Sequence, residues 1–183
     1  MKHENLDKKI IVEETDINFE SIYGQSWFPI ELGDQIKKAN FLIIPDKFER
    51  FDNAMLFTET TSEFYDFLKL NQSGNVVVDI ATDDDNFKKL ELHSAVINVA
   101  TVLVEFVILP FAINMIAAFL YDKIKSYRRK AEETQAHVNI IVETEKTKKT
   151  EKKSVKIEYE GPVSEVKESL TEAIDKIIDN NND

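Results

Sequence analysis

An apolar stretch of 27 residues, Ala95 to Tyr121, constrains this chain more than any other feature of its sequence. It reads AVINVATVLVEFVILPFAINMIAAFLY and carries Glu105 as its only formal charge. A helix of that length is about 40 Å long, which exceeds the roughly 30 Å hydrocarbon core of a bilayer. The stretch therefore predicts one long helix, and what surrounds that helix decides the class of protein.

Polar side chains on the predicted helix follow a pattern. Asn98, Thr101 and Glu105 stand at i, i+3 and i+7, so they share one stripe of a helix. Pro110 removes a backbone hydrogen bond and predicts a kink. Because a carboxylate inside a bilayer is costly, Glu105 is expected to face protein or water and not lipid.

Three interpretations of the stretch stay open. A spanning helix would be held with its carboxyl end in the cytoplasm by the basic flank that follows it. A re-entrant insertion broken near Pro110 would keep both ends on one side. The third interpretation is a helix buried by its own domain or by an identical partner. The basic flank consists of Lys123, Lys125, Arg128, Arg129 and Lys130.

The residues before this stretch alternate between strand and helix patterns. Short apolar runs at Lys9–Glu13, Phe41–Ile44 and Val76–Ile80 predict strands, and Thr60–Asn71 has the apolar spacing of a helix. Such alternation is typical of a small α/β unit with a mostly parallel sheet. We therefore predict an acidic α/β domain over residues 1–93 with a short, mostly parallel sheet.

The residues after it predict a different arrangement. His137–Val142 and Ser154–Glu160 have strand patterns and predict a β-hairpin, which an amphipathic helix follows. The predicted organisation is an α/β domain (1–93), a long apolar helix with its basic flank (94–135), and a hairpin with a helix (136–183). The predicted fold class is α+β.

Composition excludes several kinds of chemistry. The net charge is −11, and so acidic a chain lacks the broad basic surface that binds nucleic acid. There is no cysteine, which excludes disulfides and thiolate metal ligands. The four glycines never cluster into a phosphate-binding loop, and no catalytic residue or cofactor is predicted. The amino terminus lacks the apolar run of a secretory signal, so we expect a cytoplasmic or inner-membrane-associated protein with a cytoplasmic carboxyl-terminal part.

Two sets of short motifs resemble known bacterial proteins. The order of apolar helix, basic exit, hairpin and terminal helix, carried by LPFAINMIAAFLYDKIKSYRRK, HVNIIVE and KSVKIEYEGP, resembles the small effector-associated constant components. A FLIIP strand, Phe57 with Thr61, and the Leu92-His93-Ser94 segment are similar to a wider group of uncharacterised bacterial proteins. The resemblance implies a non-enzymatic component of a prokaryotic conflict or defence system.

A second resemblance implies an enzyme. IVEETD followed by VVVDIATDDD is similar to the Toprim pattern, in which a glutamate and an Asp-x-Asp pair hold Mg²⁺ for phosphodiester chemistry. By position these ligands would be Glu13, Asp83 and Asp85, and the family's glycine after the glutamate is Glu14 here. The alternative function is therefore a magnesium-dependent nuclease.

The leading hypothesis is a non-enzymatic binding or adaptor component that acts through its central apolar helix. The helix would associate with a membrane or mediate oligomerisation, because the rest of so short a chain offers little surface to bury it. The expected partners are a second copy of the chain or another protein, and a membrane, but no nucleic acid.

Overall fold

The computed structural model describes residues 7–91, 94–145 and 152–182, and it contains 39% helix and 31% strand. The α+β class is confirmed. In the described residues the helices are α1 Phe19–Tyr23, α2 Gly33–Ile36, α3 Thr61–Asn71, α4 Leu109–Ser126 and α5 Val166–Asn182. The strands there are β1 Lys9–Thr15, β2 Phe41–Ile43, β3 Asp46–Phe48, β4 Ala54–Thr58, β5 Val78–Ile80, β6 Lys89–Leu90, β7 Ile97–Asn98, β8 Val102–Glu105, β9 Gln135–Glu145 and β10 Lys152–Pro162.

One mixed sheet of seven strands organises the described chain. Its order is β1-β10-β9-β8-β2-β5, with β7 also paired to β9, and a separate small sheet has the order β3-β4-β6. Strand β10 runs antiparallel to both of its neighbours, β1 and β9, whereas β8 runs parallel to β9 and β5 runs parallel to β2. The prediction of a short, mostly parallel sheet is therefore wrong, because the carboxyl-terminal hairpin joins the same sheet.

The three predicted segments do not form separate sheets. Residues 1–93 supply β1, β2 and β5, residues 94–135 supply β7 and β8, and residues 136–183 supply β9 and β10. Strand β8 holds the two outer segments together, since it pairs with β2 on one side and with β9 on the other. The predicted boundaries at 93/94 and 135/136 thus fall inside one hydrogen-bonded sheet.

The apolar stretch is a strand followed by a helix, and the prediction of one helix from Ala95 to Tyr121 is wrong. Val102–Glu105 is β8, and α4 begins only at Leu109. The predicted kink at Pro110 is also wrong, because Pro110 lies in the first turn of α4. A first-turn N–H has no partner within a helix, so proline there removes no hydrogen bond and starts the helix.

Each face of the main sheet packs against helices. On one face α3, α4 and α5 bury a large core that includes Phe41, Val104, Ile140 and Ile157. On the other face, residues of α1 and α2 pack a smaller core around Leu42, Leu103 and Ile141. Neighbouring residues of a strand point to opposite faces, so Leu103 and Val104 enter different cores. Strand β8 is consequently apolar on both sides.

Helix α4 is the central helix of the larger core. Ile113, Ile116 and Leu120 are at most 2% exposed, while Asn114 and Tyr121 lie on the opposite, solvent side of the helix. At the end of the helix, the Lys123 ammonium forms an ion pair with Glu63 of α3. The sheet and its neighbouring helices thus supply the burying surface that the sequence prediction had assigned to a membrane or a partner.

Candidate functional site

Polar side chains line part of the second face of the sheet, beside the smaller core. We call this part the open face, meaning the side of β9 and β10 that carries His137, Asn139, Lys156, Glu158 and Glu160. The strand register places Glu158 opposite Asn139 and Glu160 opposite His137. These five side chains are partly or fully exposed although they belong to the two long central strands. The open face is therefore a rigid polar surface.

A pocket of about 280 Å³ opens where the open face meets the smaller core. We call it the face pocket. Its apolar walls include Ile22, Trp27, Ile44 and Met55. Ser21, Gln25 and Lys47 also line it, and four further polar residues come from β3, β9, β10 and the segment before β8. These residues are Asp46, Asn139, Lys156 and Thr101.

Asp46 is the acidic group of the face pocket. Its Oδ1 atom accepts a hydrogen bond of 2.7 Å from the Thr101 hydroxyl, which is itself buried. Burial raises the pKa of the Asp46 carboxyl, and the Thr101 bond and the nearby His137 and Lys156 counteract this shift only in part. Thr101 therefore holds one carboxylate oxygen in place.

Asn139 contributes a buried amide oxygen. Its Oδ1 atom is inaccessible to solvent and accepts no hydrogen bond from any side chain or backbone group of the described residues. Buried polar atoms are nearly always hydrogen-bonded, and an unsatisfied one costs about 1–3 kcal/mol. Asn139 lies in the middle of β9, where cross-strand bonds to β8 and β10 fix the backbone. Asn139 thus lines the face pocket, while its Oδ1 atom is closed to solvent.

Beside the pocket, His137, Glu158 and Glu160 form a second polar group. His137 Nε2 lies 3.3 Å from Glu158 Oε1, and Lys156 Nζ lies 3.5 Å from Glu158 Oε2. Burial alone would raise the pKa of Glu158, but the contacts with His137 and Lys156 outweigh it and lower that pKa. One ligand atom from each of His137, Glu158 and Glu160 lies within 4.8 Å of the other two.

The predicted magnesium ligands are not brought together. Glu13 lies on β1 and Asp83 and Asp85 follow β5, and these two strands are the opposite ends of the main sheet. Five strand spacings of about 4.8 Å separate them by roughly 24 Å, whereas ligands of one Mg²⁺ lie about 2.1 Å from the ion. Asp83 instead accepts a bond of 2.8 Å from the backbone N–H of Asn86 and so closes a turn. The structure therefore does not bring the three predicted Toprim-like ligands together at one site.

The predicted polar stripe is not on a helix. Asn98 is in β7, Thr101 lies between β7 and β8, and Glu105 ends β8 opposite Glu143. Thr101 alone of the three lines the face pocket. The three residues were predicted to share a stripe because the segment was taken as a helix, and in the structure this segment is not helical.

The predicted basic flank is largely engaged within the chain. The Lys123 side chain is 9% exposed and pairs with Glu63. Arg129 donates a bond of 3.2 Å to the Ala95 carbonyl, and Lys130 lies 3.5 Å from Glu133. Of the five basic residues, Lys125 and Arg128 are the exposed pair for which the structure shows no such contact within the described residues.

Among the described residues, one segment is long and apolar enough to cross a membrane. It is Phe106–Ser126, with a mean hydropathy of 1.6. However, 56% of its most apolar window is buried inside the chain, so the same segment fits the core helix of a soluble protein equally well.

Comparison of this chain with protein-family models, with curated proteins and with solved structures found no match. Both family resemblances therefore stay predictions. Of the motifs that carry the first, Phe57 and Thr61 lie in β4 and α3, while Leu92 and His93 lie outside the described residues.

Sequence reasoning missed Asp46, Asn139, His137 and Glu158 as site residues. A signal was present, because Lys156, Glu158 and Glu160 alternate with apolar residues on one predicted strand, and His137 and Asn139 do so on the other. Pairing the two predicted strands as a hairpin would have brought these side chains to one face. Asp46 and Thr101 carry no comparable signal, since they lie 55 positions apart.

Proposed function

We propose that this protein is a non-enzymatic binding component whose ligand occupies the face pocket. The observation that carries the proposal is the Asp46 carboxyl, which the buried Thr101 hydroxyl holds at the polar side of a pocket with apolar walls. A ligand that donates a hydrogen bond to Asp46 would offset part of the cost of burying that carboxyl. The Thr101 hydroxyl is 3% exposed and donates to Asp46, which supports a role in holding the site and not in attacking a substrate.

The pocket lining supports a particular class of ligand. Trp27, Ile44 and Met55 offer apolar contacts, whereas the Asp46 carboxyl offers an acceptor. Of the two lysines in the lining, Lys156 is within 3.5 Å of Glu158, which offsets its positive charge, and Lys47 is exposed to solvent. A pocket of about 280 Å³ suits a small molecule. We therefore propose a small ligand with an apolar body and a head group that donates hydrogen bonds. An amine head group should bind more tightly than an alcohol.

Trp27 makes the proposal directly testable, because it is the only tryptophan of the chain and it lines the pocket. Its fluorescence would be followed during titration with phenethylamine, 2-phenylethanol and phenylacetate, which share a body and differ in head group. We expect a saturable change with phenethylamine, a weaker response to the alcohol, and none to the carboxylate.

Two substitutions of the same chemistry separate pocket binding from unspecific effects. Asp46→Asn removes the charge of the acceptor and should weaken phenethylamine binding at least about tenfold, the equivalent of one lost charge-assisted hydrogen bond. Asp122→Asn makes the same change on the exposed side of α4, across the sheet, and should leave the affinity unchanged. Equal affinity of wild type and Asp46→Asn, or a response to the carboxylate alone, would contradict the proposal.

An adaptor role in a prokaryotic conflict or defence system remains part of the proposal and rests on the sequence resemblance. A second copy, another protein or a membrane would have to contact the exposed side of α4, because its apolar face packs against the sheet. That side carries Tyr121, which is 47% exposed, together with Ala118 and Lys125. Nucleic acid is not proposed as a partner, in keeping with the net charge of −11.

A further inference from the structure

We infer that His137, Glu158 and Glu160 form a binding site for a divalent transition-metal ion. The site is separate from the ligand proposed above, because none of the three residues lines the face pocket. The inference rests on the strand register, on the distances between ligand atoms, and on the chemistry of the three side chains.

The strand register brings the three side chains to one place. Glu158 and Glu160 are two residues apart on β10, so both point to the open face. His137 is the direct cross-strand partner of Glu160, and such partners have Cβ atoms about 4.5–5.5 Å apart. Strand β10 is paired on both sides, with β9 and with β1, so its backbone positions are fixed. The three ligands thus come from a rigid scaffold and not from a loop.

The distances fit a metal ion. His137 Nε2 and Glu158 Oε1 are 3.3 Å apart. Two ligands bound at about 2.1 Å and at a tetrahedral angle lie about 3.4 Å from each other. This pair therefore already has the spacing that a shared ion requires. Glu160 is exposed, and its ligand atom lies within 4.8 Å of the other two, so a rotation of its side chain completes the set.

The donor set selects the kind of ion. One imidazole nitrogen and two carboxylate oxygens suit Zn²⁺ and its neighbours in the first transition row. Mg²⁺ and Ca²⁺ require about six or more oxygen ligands and gain little from the imidazole. Three protein ligands leave a fourth tetrahedral position for water or for a further ligand. We therefore expect Zn²⁺ to bind in preference to Mg²⁺.

The basic neighbours of the site compete with the ion. Lys156 contacts the second oxygen of Glu158 at 3.5 Å, and Lys9 of β1 is the cross-strand partner of Glu160. Binding of a dication would displace the Lys156 ammonium from Glu158 and would add positive charge near Lys9. Removal of one of these lysines should consequently tighten metal binding. An ordinary surface ion pair would show no such gain.

Isothermal titration calorimetry of the untagged full chain with Zn²⁺ tests the inference. The chain has two other histidines, His3 and His93, and these lie outside the described residues. The titrations would therefore use a background in which both are replaced by Gln. We expect one saturable site, with Mg²⁺ at least about tenfold weaker than Zn²⁺.

Matched variants identify the ligands. His137→Gln and Glu160→Gln should each weaken Zn²⁺ binding at least about tenfold. Glu13→Gln removes the same charge from the same face one strand away, opposite Lys156, and should change the affinity less than about twofold. Lys156→Met should tighten binding. Circular dichroism would establish that each variant is folded, which is expected because His137 and Glu160 are not buried.

Either of two results would overturn the inference. One is the absence of saturable Zn²⁺ binding by the folded background protein. The other is equal Zn²⁺ affinity of that protein and its Glu160→Gln variant. The absorption spectrum of bound Co²⁺ is an independent measurement. Relative to the background protein, this spectrum should change in His137→Gln and stay the same in Glu13→Gln. Because the face pocket is tested by Trp27 fluorescence, failure of the metal site leaves that result unaffected.

Discussion

Replacement of Ile116 by alanine tests whether α4 is a core helix of the folded chain. Ile116 is 0% exposed and belongs to the core formed by α3, α4, α5 and the sheet. The substitution removes three carbon atoms, worth about 2.4 kcal/mol at about 0.8 kcal/mol per buried group. The residual cavity adds to this cost, so we expect the free energy of unfolding to fall by about 3–5 kcal/mol.

The loss would be measured by urea denaturation of protein purified without detergent, followed by circular dichroism and by Trp27 fluorescence. Ile30→Ala is the matched control, because Ile30 is 89% exposed and the same three carbons are removed. The control should change the free energy of unfolding by less than about 0.5 kcal/mol.

Two results would refute the reasoning. One is a loss below about 1 kcal/mol for Ile116→Ala, which would show that Ile116 does not pack in the core of the isolated chain. The other is a requirement for detergent: if carbonate washing of cell membranes left the wild type in the pellet and detergent released it, the apolar face of α4 would be in lipid.

Two further predictions concern side chains around the face pocket. Glu143 accepts a bond of 3.0 Å from the Phe19 N–H at the start of α1 and pairs with Lys152 at 3.2 Å. Glu143→Ala should therefore lower the free energy of unfolding, measured by urea denaturation, by about 1–3 kcal/mol. Glu145→Ala, at an exposed position, is the control and should be nearly neutral. Equal effects of the two substitutions would contradict the contact between Glu143 and Phe19. Burial raises the pKa of Asp46 above its usual 3.8, so its contribution to stability is complete below that pH and is lost as the pH rises through the raised value. Relative to Asp46→Asn, the wild type should lose stability as the pH rises from 3.8 through the raised pKa, and parallel stability curves for the two proteins would show that the carboxyl is not perturbed.

Local patterns predicted five of the ten strands in the described residues, together with helices α3 and α5. The run at Lys9–Glu13 predicted β1, which extends to Thr15, and the pattern at Thr60–Asn71 predicted α3 to within one residue. The two runs of the hairpin predicted β9 and β10. Each of these elements is either a short apolar run or a segment with periodic apolar spacing, and polar or turn residues bound it, so neighbouring residues alone carry the information.

The apolar stretch was misassigned because its first half has no period. A strand that enters a core on each face is apolar at every position, as β8 is at Val102, Leu103 and Val104, and hydropathy cannot distinguish it from a buried helix. Side-chain shape does distinguish them. Seven of the 13 residues from Ala95 to Val107 are β-branched, against two of the 13 from Leu109 to Tyr121. β-Branched residues favour strands, so the boundary near Pro110 was present in the sequence.

The same misassignment explains why the candidate site was not found. Once Ala95–Tyr121 was taken as a single helix, the hairpin had no strand to join, and its polar face had no pocket beside it. Strand β8 changes this, because it pairs with β9 and carries the preceding Thr101 to Asp46. The pairing that takes Val102–Glu105 out of the predicted helix is thus the pairing that completes the face pocket. The polar residues of the open face follow from that order of strands.

Burial of α4 and exposure of the open face are consequences of one arrangement. Three helices cover one side of the seven-stranded sheet, while α1 and α2 are short and cover only the strands around β8 and β2 on the other. Strands β9 and β10 are 11 residues each and have the most polar residues where no helix covers them. A long paired hairpin fixes the positions of its side chains closely, which is what a metal ligand such as His137 requires. The apolar stretch thus contributes to the proposed function by building the sheet, and the chemistry lies on the strands that it supports.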